Sequence, residues 1–436
     1  MAEHFTEYRE KPGACAECGN SPVNHAAAWA FNTPGVALGG LSFSLRRFPR
    51  VRRAGDAIQR AAERLDAWHA RMMHALRAVR FGTDPSTART YRSQVVWEEA
   101  QRRGIAMEQA FLFGFATEIY RAMPRGEWIY FKSIPIPPEV PQDDYLWIDD
   151  KVLLKRVLAE AGIPTPESMS VTTLTQAREA FERLGAPVVV KPRSGSRGRH
   201  TSVLVRTLAD LERAFRSARR LCFFVSVERH LEGSVCRATL VQGKLVGFFE
   251  GRAPCVMGDG SSSIVQLIEA QNARKHERVE AIALTAEHEG FLRRQGLTLS
   301  SVPEMERIVP LTHRTGRLFG GETRELLNTV HPALRAALER AAAAIPGAPV
   351  VGFDLIIKDP ESDPSVQEWG IIEANSLPFI DLHYLPLHGT PSNPAAAVWN
   401  MWVRVKETMA HRMITPSQRK SASLSVPSER TPRCET

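Results

Sequence analysis

Two apolar segments in the last quarter of the chain carry oxygen-bearing side chains at positions where a core strand would have none. GFDLII contains Asp354, and IIEAN contains Glu373 and Asn375. Side chains two apart on a strand share a face, so Glu373 and Asn375 are predicted to point the same way. A buried carboxylate is costly unless it is paired or binds a metal. Oxygen ligands of this kind suit Mg²⁺, and an ion network with arginines is the alternative interpretation.

A second candidate site is the segment VVVKPRSGSRGRHTSVLV. An apolar strand is predicted to end at Lys191, and the loop that follows contains Ser194, Gly195, Ser196 and Gly198. Such small residues let backbone N–H groups approach a polyphosphate closely, and a lysine adds a point charge for phosphate oxygens. The loop lacks the GK[ST] sequence of a Walker A motif. An ordinary hairpin with a serine-glycine turn is the alternative.

Length and composition limit the classes of protein to consider. A chain of 436 residues predicts two to four domains. No run approaches the roughly 20 apolar residues of a spanning helix, so we expect no membrane segment. The polar N-terminal sequence makes secretion an unfavourable interpretation, and six irregularly spaced cysteines favour a reducing cytoplasm. The net charge of +8 is mildly basic and does not by itself distinguish an anionic substrate from a nucleic acid.

The order of the predicted elements favours an α+β fold. Residues 1–30 are predicted to be irregular, Asp56–Val79 to be helical, and residues from Thr415 onward to be disordered. Further helices are predicted in the segments IDDKVLLKRVLAEAG, TLTQAREAFERLG, LADLERAFRSARR, PALRAALERAAAAIPG and AAAVWNMWVRVKETMA. Thr173 or Thr175 is predicted to cap the second of these, and VMGDGSSSIVQLIEAQNARK is predicted to be a turn followed by a helix that a serine caps. Strands are predicted in VVVKP, TSVLV, the meander VCRATLVQGKLVGFFEGR, VVGFDLIIKD and EWGIIEAN.

The order of the motifs resembles the ATP-grasp family of carboxylate ligases. That order is a DK-x-x-x-K helix, the VVVKP strand with its glycine-rich loop, VERHLEG, and then D…E-x-N on two strands. The stretch LVGFFEGRAPCVMGDGSSSIVQLIEAQNARK is most similar to the ATP-grasp part of cyanophycin synthetases and bifunctional glutathione synthetases. The resemblance covers roughly residues 149–409. The chain ends too soon for the Mur-ligase-like part of cyanophycin synthetases, so cyanophycin synthesis by the usual two-site arrangement is not expected.

The resemblance implies a domain organisation. An ATP-grasp fold, in which two α+β subdomains clasp ATP, is expected after a small α/β N-terminal domain. The implied boundaries are 1–145 for the N-terminal region, 146–227 and 228–414 for the two ATP-grasp subdomains, and 415–436 for a disordered tail.

The resemblance also implies roles for individual residues. Lysines bind the phosphates, the glycine-rich loop covers them, and VERHL forms the hinge that holds the adenine. The residues implied to bind ATP are Lys151, Lys191, Ser194, Gly195, Ser196, Gly198, Glu228, Arg229 and Leu231. Asp354, Glu373 and Asn375 are implied to bind two Mg²⁺ ions, with Mn²⁺ as the alternative metal.

Two positions depart from the family pattern. The acidic residue that contacts the ribose in the family falls at Val235, which cannot bond a hydroxyl, although Glu232 is close by. The arginine that precedes the metal-binding aspartate in D-alanine–D-alanine ligases is Phe353 here. That substrate class is therefore disfavoured.

The activity that the resemblance implies is ATP-dependent formation of an amide or peptide bond through an acyl phosphate. Arg237 and Arg252 are the candidates for holding the acyl phosphate or the substrate carboxylate, and surface ion pairs are the alternative. The expected partner is a small amino-acid or peptide substrate, and a homo-oligomer is left open. The basic run LRRFPRVRR lacks an accompanying nucleic-acid motif, so a nucleic-acid partner is disfavoured. A non-catalytic nucleotide-binding protein with a degenerate ATP-grasp site is the alternative function.

Two further groups of residues have metal-ligating side chains. Cys15, Cys18 and His25 supply three of the four ligands that a structural zinc normally needs, and a loose pair of reduced cysteines is the alternative. His383 and His388 fall in FIDLHYLPLHG, which is interpreted as a substrate-facing loop after the second metal-binding strand.

Overall fold

A computed structural model describes Cys15, Cys18, residues 23–45, Phe48, and residues 79–140, 147–148, 150–195 and 198–413. The predicted helix of Asp56–Val79 lies outside these residues except for its last position, and so do Ser196 and the predicted disordered tail. The described residues of Met1–Arg80 and Pro141–Pro394 form one compact unit, and those of Phe81–Val140 and from Ala395 onward form another.

The helices and strands alternate along the chain as expected for an α+β protein. The helices are α1 (His25–Leu45), α2 (Tyr91–Arg102), α3 (Lys151–Glu160), α4 (Leu174–Leu184), α5 (Leu208–Arg219), α6 (Ile264–Arg274), α7 (Ala286–Arg294), α8 (Pro332–Ala343) and α9 (Pro394–Met413). The strands are β1 (Val79–Gly82), β2 (Met107–Leu112), β3 (Phe115–Ala122), β4 (Ile129–Lys132), β5 (Ser168–Val171), β6 (Val188–Pro192), β7 (Ser202–Val205), β8 (Val225–Arg229), β9 (Ser234–Val241), β10 (Lys244–Gly251), β11 (Cys255–Met257), β12 (Ile308–Pro310), β13 (Thr323–Glu325), β14 (Val350–Ile357) and β15 (Trp369–Asn375).

The smaller unit is built on a sheet of order β1-β2-β3-β4. The Thr90 side chain accepts a hydrogen bond from the Ser93 backbone and starts α2. The α2 side chain of Trp97 is fully buried and meets the ring of Tyr120 edge-on, with 5.9 Å between centroids. The indole of Trp399 in α9 donates to the Val96 carbonyl at 2.9 Å. The C-terminal helix thus completes the core of this unit.

The first sheet of the larger unit has the order β5-β8-β6-β7 and antiparallel pairing throughout. Helices α4 and α5 cover one face with small and apolar side chains such as Ala177 and Phe215. Thr173 begins α4 with a capping box that includes Gln176, and Thr207 begins α5. The predicted helices and strands of this region are therefore confirmed.

The second sheet has the order β13-β10-β9-β14-β15, and its apolar face packs against α3 and α8. Phe353 and Leu355 of β14 point into this core, so Asp354 between them faces the opposite side. A β-bulge follows Asp354 in the pairing with β15. The bulge lets Ile371 pair with Leu355 in the core while Glu373 pairs with Asp354 on the polar face. Asp354 and Glu373 thus lie together on the polar face of this sheet.

A small third layer accompanies this sheet. Strands β11 and β12 pair with each other, and α6 packs on them. The side chain of Ser263 begins α6 in a capping box with Gln266. This bears out the helix expected from the GDGSSSIVQLIEAQNARK segment, whose apolar residues Ile264 and Ile268 are buried.

The N-terminal region differs from the sequence expectation. Residues 1–30 were expected to be irregular, but α1 begins at His25. Its alanine-rich start and poor amphipathic pattern give little periodic signal. Among the described residues, the helices are too short or too polar for any of them to span a bilayer.

The buried ring of Phe353 should contribute strongly to stability, because it is completely enclosed by the core of the second sheet. We expect Phe353→Ala to lower the free energy of unfolding by about 3–5 kcal/mol, since the truncation leaves a cavity. Urea unfolding followed by circular dichroism measures this. Val366→Ala, at an exposed position, is the control and should change the free energy by less than about 0.5 kcal/mol.

Candidate active site

The three predicted metal ligands lie together on the polar face of the second sheet. Register places Asp354 opposite Glu373 and Asn375 opposite Gly352. The Asn375 amide is 3.5 Å from the nearer Asp354 oxygen. Side chains of Asp354 and Glu373 keep 13% and 23% of their surface exposed, so water and small ligands reach them.

Arg237 is the immediate partner of Asp354. It lies opposite Asp354 in the pairing of β9 with β14, and its Nε and Nη2 atoms donate to the two carboxylate oxygens at 2.6 Å each. Burial alone would lower the pKa of Arg237, but Asp354, Glu373 and Asp381 together raise it. Arg252, the other predicted substrate arginine, follows β10, is half exposed and pairs with Glu250 at 3.2 Å. Arg237 therefore belongs to the site formed by Asp354, Glu373 and Asn375, which is called the acidic site below. Arg252 belongs to a separate ion pair with Glu250.

Lys151 links the acidic site to the glycine-rich loop. It is the first residue of α3, which Asp150 caps by accepting from two backbone N–H groups. The ammonium group of Lys151 is 3.4 Å from Glu373 Oε2 and donates to the carbonyl of Gly195 at 2.8 Å. A cation therefore lies between the predicted metal ligands and the predicted phosphate loop.

A second charged cluster, formed by Glu228, Lys155 and Lys191, is almost completely buried. The carboxylate of Glu228 in β8 lies between Lys191 of β6, at 2.9 Å, and Lys155 of α3, at 2.5 Å. Ser226 donates to the same carboxylate at 2.9 Å. Lys155 is four residues after Lys151, so the two lysines share one face of α3.

Lys155 is a site residue that sequence reasoning did not assign. The DK-x-x-x-K spacing contained the signal, but only Lys151 received a phosphate-binding role. Glu228 was expected in the adenine hinge, whereas its side chain faces Lys155 and Lys191. The structure therefore pairs Lys191 with Lys155 through Glu228 and places Lys151 beside Glu373.

The electrostatics of this cluster follow from burial. Burial would raise the pKa of Glu228, but Lys155 and Lys191 override it and lower the pKa to about 2. Burial lowers the pKa of Lys155 to about 7 despite its proximity to Glu228. Glu228 is consequently an anion at neutral pH. The stability that it contributes is present above the pKa of an unfolded glutamate and is lost as the pH falls through about 2.

The glycine-rich loop is held at its base. Arg193 donates to both oxygens of Asp150, with Nε–Oδ1 at 2.9 Å and Nη2–Oδ2 at 2.8 Å. Gly195 and Gly198 have φ of +146° and +63°, values that side chains with a Cβ rarely adopt. Ser194 precedes them in a bend at the end of β6. The loop shape thus depends on glycine at both positions.

The remaining predicted hinge residues follow β8. Arg229 pairs with Glu368, and Leu231 is buried. Val235 lies inside the β9 ladder opposite Gly251 and Ile356. The nearby Glu232 pairs with Lys358 at 2.9 Å, with both side chains exposed. Glu232 thus lies outside β9 in an exposed ion pair, and the ribose contact stays a prediction.

His383 was expected in a substrate-facing loop, but its side chain is completely buried. Its Nδ1 is 2.7 Å from Glu325 Oε2, and its Nε2 is 2.7 Å from Thr239 Oγ1. A Cβ on Gly247 would lie 2.6 Å from the imidazole ring, so the histidine fills the space that this glycine leaves. His383 therefore packs β9, β10 and β13 together.

The residues present fit a magnesium ion bound with a polyphosphate. Asp354, Glu373 and Asn375 supply hard oxygen atoms on neighbouring strands. Arg237 and Lys151 balance the two carboxylates in their present arrangement. An ion at this place would share the carboxylate oxygens with these cations, and Lys151 connects it to the loop where phosphates would lie.

Comparison with known proteins identifies a family domain in part of the chain. Residues 156–285 match the model of the ATP-grasp domain, so the chain carries an ATP-grasp domain with the α+β fold of that class. The matched segment includes the loop after β6 and the Lys191 and Glu228 members of the buried cluster. Lys155 of that cluster, and also Lys151, Asp354, Glu373 and Asn375, lie outside the matched segment.

The relatives are ligases of larger size. The chain is 32% identical over 259 residues to a cyanophycin synthetase of Trichormus variabilis. The aligned segment covers 58% of this chain and 29% of that protein. It is 31% identical over 256 residues to the glutathione biosynthesis bifunctional protein of Mannheimia succiniciproducens, which covers 56% of this chain and 34% of that protein. A crystal structure of the bifunctional glutathione synthetase of Pasteurella multocida aligns with a TM-score of 0.46 at 25% identity, over 72% of this chain and 44% of that one. The match thus spans about a third of the curated relatives' length.

The Glu228 cluster should be coupled in stability. We expect Glu228→Gln to cost about 3–5 kcal/mol, because it leaves two buried lysines without their anion. Adding Lys155→Met to that variant should recover part of the loss, since it removes one unbalanced charge. Urea unfolding of the parent, both single variants and the double variant gives the coupling energy. Costs that simply add would contradict this account of the cluster.

Proposed function

We propose that this chain is an ATP-dependent carboxylate–amine ligase that forms an amide or peptide bond through an acyl phosphate. The observation that supports this most directly is the arrangement of Asp354, Glu373 and Asn375 beside Lys151, which itself contacts the Gly195 loop. Oxygen ligands, a cation and a loop of glycines meet at one place. This combination suits the terminal phosphates of ATP with magnesium.

Each residue has a role derived from its position in this proposal. Lys191, near the end of the strand that precedes the loop, and Lys155 would bind phosphate oxygens through charge-assisted hydrogen bonds. Glu228 keeps both lysines in place before the nucleotide arrives. The backbone N–H groups of the loop around Gly195 and Gly198 would cover the phosphates. The VERHL segment would hold the adenine.

Asp354, Glu373 and Asn375 would hold Mg²⁺. We propose two Mg²⁺ ions at this site, with Mn²⁺ as the alternative metal. The metal supplies charge that stabilises the transferring phosphoryl group. Arg237, bound to Asp354, sets the direction of that carboxylate. The N–H groups of its guanidinium that Asp354 does not use would donate to the carboxylate of a substrate.

The proposed reaction has two displacements. A carboxylate oxygen of the substrate forms a bond to the γ-phosphorus, and the bond from that phosphorus to the β-γ bridging oxygen breaks, releasing ADP. The nitrogen of an amine then bonds to the acyl carbon, the bond from that carbon to the phosphate oxygen breaks, and the amine loses a proton. Both steps need positioning and charge stabilisation rather than a protein nucleophile.

The substrates proposed are an amino-acid or peptide carboxylate and an amine. The names of the relatives, cyanophycin synthetase and a glutathione biosynthesis protein, support this class. Phe353, which lies in the core rather than in the site, supplies no arginine next to Asp354. A D-alanine dipeptide is therefore not the product that we propose. We also propose a cytoplasmic location for the protein.

The ligase proposal predicts release of phosphate from ATP and Mg²⁺ when the correct amino acids or dipeptides are supplied in pools. Asp354→Asn should reduce that rate by about 100-fold or more, because it removes charge that holds the metal. Asp363→Asn makes the same change at an exposed turn and should leave the rate unchanged. Malachite-green detection measures the phosphate. Nucleotide binding without release from any pool would instead support the non-catalytic alternative.

The phosphate-binding role of Lys191 predicts weaker binding of ATP. Lys191→Met should raise the dissociation constant for a non-hydrolysable ATP analogue by about 10-fold or more, because a charge-assisted contact is lost. Lys244→Met, at an exposed ion pair with Glu339, is the matched control and should bind as the parent does. Isothermal titration calorimetry measures both. Equal affinities for the parent and Lys191→Met would contradict the assignment.

A further inference from the structure

Four metal-ligating side chains come together outside the nucleotide site. Cys15, Cys18, His25 and His200 place their ligand atoms within 4.8 Å of one another. Cys15 and Cys18 lie in a turn closed by the hydrogen bond from the Cys18 N–H to the Cys15 carbonyl. His25 is the first residue of α1, and His200 follows the glycine-rich loop.

Four of the six separations between these atoms are close to the edges of a tetrahedron around one ion, and all six are within 4.8 Å. His25 Nε2 and His200 Nε2 are 3.3 Å apart. Cys18 Sγ is 3.3 Å from His25 Nε2 and 3.5 Å from His200 Nε2, and Cys15 Sγ is 3.7 Å from His200 Nε2. With Zn–N near 2.0–2.1 Å and Zn–S near 2.3 Å, tetrahedral geometry requires about 3.3 Å between nitrogens and about 3.5 Å between nitrogen and sulfur.

The surroundings orient His200 for metal binding. Its Nδ1 is 2.9 Å from the Ser217 carbonyl and 3.0 Å from the Ser217 hydroxyl. The carbonyl only accepts, so Nδ1 carries the proton and the lone pair of Nε2 faces the cluster. The backbone of His200 has φ of +52°, an uncommon conformation for a residue with a side chain. The histidine is also fully buried, and its Nε2 points at the other three ligand atoms.

Arg220 borders the cluster. Its Nη2 is 3.0 Å from His25 Nδ1, and its Nη1 is 3.8 Å from Cys15 Sγ. An arginine only donates, so His25 Nδ1 accepts in this arrangement and Nε2 carries the proton. Metal binding would move that proton to Nδ1, and Arg220 would turn from the imidazole towards the Cys15 thiolate.

We propose that Cys15, Cys18, His25 and His200 form a structural zinc site. The zinc would connect the N-terminal segment to the C-terminal end of the glycine-rich loop. All four positions of a tetrahedral ion are filled by protein atoms, which is the pattern of structural rather than catalytic zinc. Two thiolates balance the charge of Zn²⁺. His200 stands two residues after Gly198, so the ion would fix one end of the loop while Lys151 contacts Gly195 from the other side.

The test uses the full chain, made metal-free under reducing conditions and titrated with Co²⁺ alone. We expect one Co²⁺ per chain, with the intense visible bands of tetrahedral cobalt and a thiolate charge-transfer band, both abolished by Zn²⁺. A weak octahedral spectrum, or a Cys15–Cys18 disulfide that persists under reduction, would overturn the proposal. Because this measurement needs only the parent protein, a misfolded variant cannot obscure it.

Variants assign the ligands. Cys18→Ser and His200→Ala should each weaken Co²⁺ binding by about 100-fold or more, since each removes one of four ligands. Cys255→Ser is the matched control, because Cys255 is an exposed cysteine in β11, and it should bind as the parent does. Equal weakening by Cys255→Ser, or none by His200→Ala, would contradict the ligand set.

The tethering role has its own readout. Zinc loading of the parent should slow amide hydrogen exchange in residues 198–205 by about 10-fold or more, because the bound zinc would suppress local unfolding at this end of the loop. The same loading of His200→Ala should leave that exchange unchanged. One bound zinc per parent chain without slower exchange would overturn the tether. This readout is independent of ligase activity, so it distinguishes failure of the zinc site from failure of the proposed function.

Discussion

The pairing of charges that are removed from water is the constraint on which this site depends. A carboxylate such as Glu228, buried to 2% exposure, is stable only if cations share its surroundings. Lys155 and Lys191 supply them from a helix and from a neighbouring strand. The same constraint explains Arg237 at Asp354 and Lys151 at Glu373. Acidic and basic groups thus connect α3 with the first and second sheets of the larger unit.

Under the proposed function, this arrangement prepares the site for a highly charged ligand. Lysines already fixed by Glu228 would not have to be ordered when phosphates bind, which would reduce the entropic cost of association. The glycine-rich loop is likewise held at its base by Arg193 and contacted by Lys151. Under the zinc proposal its far end is held by His200. The loop is then supported on both sides while its glycines remain free to approach a ligand.

Local rules in the sequence predict much of this structure, and contacts between distant residues account for what they miss. Alternation along a strand correctly joined Glu373 with Asn375, and capping residues correctly began α4 and α6. The bulge after Asp354 has no signature in the residues themselves, yet it separates Ile371 from Glu373. The contact of Arg237 with Asp354 could not be predicted either, because strand register, which pairs the two residues, is not local information. The substrate-binding role of Arg237 stays a prediction.

The position of His200 could not have been inferred for the same reason. It is 182 residues from Cys18, and only the fold brings their side chains together. Lys155 was visible in the DK-x-x-x-K spacing, but burial beside Glu228 gives it its importance, and burial is a property of tertiary packing.

The central claim is that the acidic residues and lysines form a site for magnesium and ATP. Calorimetric titration of the full chain with a non-hydrolysable ATP analogue, with and without Mg²⁺, tests it most directly. The account predicts that Mg²⁺ tightens binding by about 10-fold or more, equivalent to about 1.4 kcal/mol, in the parent but not in Glu373→Gln. Equal binding with and without Mg²⁺ in the parent would contradict it.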